Sequence, residues 1–188
     1  MTKNGRRFPG STFTAAACAI IALAACGGGT VSNAPLSGTQ VLAFAFFQRC
    51  VNPIFVTPLQ VTIGATTTTK TCAAAACHAS ATGAGGAFRI IPTAQPVDLT
   101  NPANTPDVIR ASDMYKNFTS AQGETVIDSP TQSLLLNKPL VNNVFHGGGV
   151  VFTSVQDPNA ITIDTWITNP VPQGQDEFTF DPRPGTCS

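Results

Sequence analysis

Proline and glycine interrupt this chain so often that no long regular element fits into it: 15 Pro and 16 Gly stand among its 188 residues. Proline removes a backbone donor and clashes inside a helix, and Pro53, Pro92, Pro130, Pro139 and Pro158 each border a short apolar run. Between these breaks the apolar spacing predicts short helices. One is expected from about Gln40 to Val51, capped by Ser37, with Val41, Phe44, Phe47 and Val51 on one face and Pro53 at its end. Thr105, Pro106 and Asp107 give the cap, first position and first turn of a second, continuing to Phe118 with Val108, Ala111, Tyr115 and Phe118 as its stripe. Ser129-Pro130 opens a third, carrying Leu134, Leu135 and Leu136 and closing before Pro139, and Asp157-Pro158 caps a last one through Trp166 and Ile167. Val61 to Thr71 is β-branched and suits a surface loop or short hairpin. Ala73 to Ala76 favour helix, which places His78 in the first turns of a short one. The expected class is mostly α: a small helical domain with long loops and little β.

The N-terminus is an address rather than a fold. Lys3, Arg6 and Arg7 precede an apolar run from Ala15 to Ala25, of signal length and too short to span a bilayer well. It ends in Leu23-Ala24-Ala25-Cys26 before Gly27-Gly28-Gly29. Small residues before a cysteine, followed by a flexible tract, resemble the lipobox of bacterial lipoproteins. The resemblance implies a signal peptide over 1–25, a lipidated Cys26, and anchorage in the cell envelope, with Gly27 favouring the outer membrane. Residues 26–40 then read as a flexible tether and 41–188 as a single domain. The full chain carries 10 Lys+Arg against 10 Asp+Glu. Loss of the three leader cations leaves a mildly acidic domain with no basic cluster, which excludes a nucleic-acid partner.

Six cysteines and two histidines carry the chemistry. Cys18 leaves with the leader and Cys26 takes the lipid, so Cys50, Cys72, Cys77 and Cys187 remain. In an oxidising compartment each of the four is expected in a disulfide, on a metal or on a cofactor. Cys72-Ala73-Ala74-Ala75-Ala76-Cys77-His78 is C-x4-C-H, a widened form of the C-x-x-C-H site at which two thiols hold haem and the next His meets the iron. The second Cys and its His must stay adjacent, whereas the first Cys need only reach the other vinyl group, and four alanines are small enough to bulge.

The wider pattern resembles a bacterial family of cytochrome c-like lipoproteins. Its residues here are Cys50-Val51-Asn52-Pro53-Ile54-Phe55, Cys72 to His78, Tyr115-Lys116-Asn117-Phe118, Ser133 to Pro139, His146-Gly147-Gly148-Gly149 and Trp166-Ile167. The resemblance implies a cytochrome c-like helical domain with one covalent haem c, and no catalytic motif stands out elsewhere in the chain. It further implies electron relay at the periplasmic or outer-membrane surface with a redox partner protein of the envelope. The chain departs from common c-type cytochromes in its Cys spacing and in lacking a Met-Pro pair for a Met ligand.

With Cys72, Cys77 and His78 on haem, His146 is the candidate sixth ligand, since three glycines behind it let backbone approach a flat ring. Met114 is the runner-up, although it falls off the expected core stripe. Phe88, Ile90, Ile91, Phe118 and Leu134 to Leu136 would wall the pocket, and would serve equally as plain core. Cys50 and Cys187 are then expected to bridge each other. The competing reading keeps the lipoprotein without haem: Cys72–Cys77 forms a disulfide, His78 is incidental, and the role is binding or structural. A zinc site using both Cys and both His fits least well.

Overall fold

In the computed structural model, which describes residues 40–187, the chain opens with three helical segments run together without a break. These are α1 (Phe44–Phe46), a π-helical turn (Phe47–Val51) and α2 (Asn52–Val56). The helix continues past Pro53, the residue expected to end it, through a wider π turn in which the Asn52 N–H donates to the Phe47 carbonyl. Phe44, Phe46, Phe47 and Val51 are fully buried on the way.

A hairpin follows, β1 (Leu59–Ile63) paired antiparallel with β2 (Thr66–Lys70), from Leu59 opposite Lys70 to Ile63 opposite Thr66. Gly64 takes φ +60° at the tip, as a two-residue turn requires. A long stretch of turns then leads to α3 (Pro106–Ala111) and α4 (Asp113–Gln122). Expected as one helix, these are two, because Ser112 is extended and its hydroxyl accepts from the Tyr115 N–H to cap α4 afresh. The break turns the faces: Val108 is exposed, while Ile109, Met114 and Phe118 are buried. A short 3₁₀ turn (Pro130–Gln132) precedes α5 (Leu134–Leu140), which contains Pro139 instead of stopping before it. Last comes α6 (Pro158–Thr168), capped by Asp157 accepting from the Asn159 N–H.

The expectation of a mostly α, cytochrome c-like domain is corrected. Helical residues make up 34% of the described chain, a two-stranded antiparallel sheet stands beside them, and much of the remainder is loop. Short runs between proline breaks supply too few turns for helices to dominate, and the threonines of β2 take the extended conformation that suits their branched side chains. The segment Ala73–His78, expected as helix, is a series of turns.

The core gathers the first helical run, α4 and α6. Trp166 packs against Phe47 and Phe118, and its indole N–H donates to the Ala43 carbonyl at 3.0 Å. Cys50 and Cys187 are joined in a disulfide across 137 residues, which ties the tail to the first helical run. The leader over 1–25, Cys26 and the tether lie outside the described residues. Among the described residues no helix is long and apolar enough to cross a membrane.

Candidate functional site

The Cys72–His78 turn is fastened at both ends by backbone bonds. The Ala73 N–H donates to Phe55 in α2, and the His78 N–H returns to the Cys72 carbonyl, both at 2.9 Å, so the widened loop closes on itself. Beyond it, the Ile90 N–H donates to the His78 carbonyl and the Ser80 N–H to the Ile90 carbonyl, both at 2.7 Å. The imidazole of His78 rests beside Phe88, ring centroids 4.8 Å apart, and its Nδ1 lies 3.1 Å from the Phe88 carbonyl oxygen.

His146 is held by a different part of the chain. Val150 forms an isolated antiparallel bridge with Thr62 of β1, the two residues exchanging N–H···O bonds of 2.9 Å each. Gly149, at φ +81°, lies so close to the Thr62 carbonyl that no side chain fits there. The hairpin thereby hangs the His146 loop over the turn that carries His78. Nδ1 of His146 lies 2.7 Å from the Gly149 carbonyl oxygen.

The two imidazoles come together with ring centroids 6.3 Å apart and planes 13° from parallel. A carbonyl oxygen only accepts, so each Nδ1 carries a proton and donates, and Nε2 is the ring atom left for another partner. Burial pushes the His78 pKa down from its ordinary value; the bond to Phe88 opposes this, and the nearby His146, Arg89 and Lys138 add to it. His78 is therefore neutral, as a metal ligand must be.

Both rings line a cavity of about 540 Å³. Its size lies within the roughly 300–1,000 Å³ of cofactor pockets. Its wall is largely apolar, with Phe55, Phe88, Leu135, Val151 and Phe152, and Cys72 and Cys77 open onto it. These two cysteines are not bridged. Burial first, and the neighbouring Cys77 second, push the Cys72 thiol up to about 11, so it is protonated at neutral pH.

The expected pocket walls divide. Phe88, Leu134 and Leu135 line the cavity, whereas Ile90, Phe118 and Leu136 belong to the core behind it. Met114, the runner-up ligand, is buried in that core and does not reach the cavity lining. Among the described residues no three His, Cys, Asp or Glu side chains converge as ligands for a bare ion, so the four-ligand zinc arrangement has no counterpart. A tetrapyrrole, which brings four nitrogens of its own, asks for only two axial donors, and the residues present fit that demand. Lys70 and Lys138 in the lining escaped the sequence reading; the only signal was that lysine is scarce in this chain. The chain matches no protein-family model, no curated protein and no solved structure.

Proposed function

We propose that this protein is a c-type electron carrier of the cell envelope, holding one covalent haem on Cys72, Cys77, His78 and His146 and anchored through lipid on Cys26. The observation that carries the reading is the pair of near-parallel imidazoles 6.3 Å apart, each with Nδ1 engaged and Nε2 free, over a cavity that two unbridged thiols share. Bound haem supplies a one-electron ferric/ferrous couple.

The chain's own residues do the rest. Cys72 and Cys77 would hold the group through two thioethers, each S–H adding across one vinyl group to give a C–S and a C–H bond with no oxidant consumed. His78 and His146 would offer Nε2 to the iron, and their Nδ1–H···O=C bonds orient the rings and raise their basicity, which would favour the oxidised state and a low potential. Phe55, Phe88 and Phe152 keep water from the cavity wall. One electron arrives from a reduced protein partner and departs to an oxidised one, with no atom transferred.

The test is expression of the full chain with a c-type haem maturation system, followed by a denaturing gel stained for haem peroxidase activity. Stain on the band is the expected result. An unstained band, with a mass two hydrogens short from a Cys72–Cys77 disulfide, overturns the proposal in favour of a haem-free lipoprotein. In the loaded protein, His146→Ala should convert a low-spin spectrum to a high-spin one, and an unchanged spectrum removes His146 from the iron.

A further inference from the structure

The described residues include three lysines, and their partners differ. Lys116 is paired with Asp113 at 2.7 Å, just as Arg49 is paired with Asp181 and Arg110 with Glu177. Lys70 and Lys138 have no carboxylate within ion-pair distance among the described residues, and both line the same cavity. Glu124, the one carboxylate in that lining, pairs with neither. Two ammonium groups without an ion-pair partner, on a largely apolar wall, are suited to an apolar ligand that carries acid groups.

The lysines come from separate elements, each tied to half of the site. Lys70 ends β2, opposite Leu59 and two residues before Cys72. Lys138 lies in α5 immediately before Pro139, whose carbonyl accepts from the Val151 N–H at 2.8 Å and so meets the segment that follows His146. Its charge reaches the site, since it is among the cations that lower the His78 pKa.

We infer that Lys70 and Lys138 form an anion anchor at this cavity, taking the two propionate carboxylates of a bound haem. The inference rests on the haem reading above and adds to it the residues that orient the macrocycle. Ammonium groups beside the propionates hold them ionised to lower pH. They thereby set where the reduction potential bends with pH.

The experiment compares midpoint potential against pH for the haem-loaded protein and its K70Q/K138Q variant. The propionate inflection should move up by roughly half a pH unit in the variant, the shift that one modest, solvent-screened ion pair per carboxylate supports. Lys116→Gln, on a lysine paired elsewhere, should leave the inflection in place. An inflection that K70Q/K138Q does not move, or that Lys116→Gln moves as far, overturns the anchor and leaves the haem reading standing. A wild-type protein without covalent haem overturns both.

A second measurement does not depend on maturation. The Cys72→Ser/Cys77→Ser chain, titrated with haemin and with haemin dimethyl ester, should prefer the free acid by roughly three- to tenfold. That preference should vanish when K70Q/K138Q is added. Equal binding of acid and ester by the parent chain overturns the anchor.

Discussion

Gly85 and Gly148 show how single residues set the geometry of the two imidazoles. A methyl group at Gly85 would lie 2.5 Å from Cε1 and Nδ1 of His78, and one at Gly148 would lie 2.9 Å from Cε1 of His146. Only the absence of a side chain lets the backbone pass this close to each ring, so substitution at either glycine would displace the imidazole beside it. Away from the site, Asp164 on α6 illustrates the opposite economy of charge. Burial alone raises its pKa above the usual carboxylate value, so the folded state holds its proton more tightly than the unfolded chain does. Its contribution is therefore favourable below the unfolded pKa and is lost as pH rises through the folded one. Asp164→Asn should stabilise the protein at neutral pH by up to about 0.5 kcal/mol, with the gain shrinking in acid, as denaturant melts at both pH values would record.

At the scale of elements, the decisive join is the isolated bridge between β1 and Val150, in the loop after His146. Gly149→Ala would force a side chain into positive φ against the Thr62 carbonyl, and should break the Thr62–Val150 bridge. The expected cost is about 1–3 kcal/mol in a denaturant melt, with loss of the low-spin spectrum in haem-loaded protein. This join was not legible in the sequence, because Thr62 and Val150 are 88 positions apart and nothing local announces their pairing. What was legible is what local chemistry decides: Asp157-Pro158 starting α6, the β-branched run forming a hairpin, and the adjacency of Cys77 and His78. Proline misled at two places. Pro53 and Pro139 read as stops, yet one sits in the first turn after a π turn and the other within the last turn of a short helix. Ser112 was overlooked because the stripe before it matched helical spacing, although serine competes well as a new cap. Met114 was misplaced for the same reason, its burial following from a break that periodicity alone hides.

For the molecule as a whole, the tail acts as a belt around the first helical run. The Glu177 carbonyl accepts from the Phe44 N–H at 2.7 Å, and Arg49 donates to the Thr186 and Arg183 carbonyls while pairing with Asp181. The Cys50–Cys187 disulfide fixes this belt, and a loop of that length is expected to contribute about 2–5 kcal/mol. Replacing both cysteines by alanine should lower the denaturation midpoint accordingly, and reducing agent should then cause no further loss. The belt lies on the opposite bookend of the sequence from the hairpin, and the hairpin has the larger consequence. One strand of that ribbon grips the His146 loop, and the other runs directly into Cys72. The ribbon works as a caliper whose jaws are the two halves of the site. A slip of one residue pair displaces a strand by about 3.4 Å, more than half the 6.3 Å between the rings. The register of five exposed threonine and lysine positions in β2, which contribute almost nothing to the core, thus sets how the two imidazoles face each other.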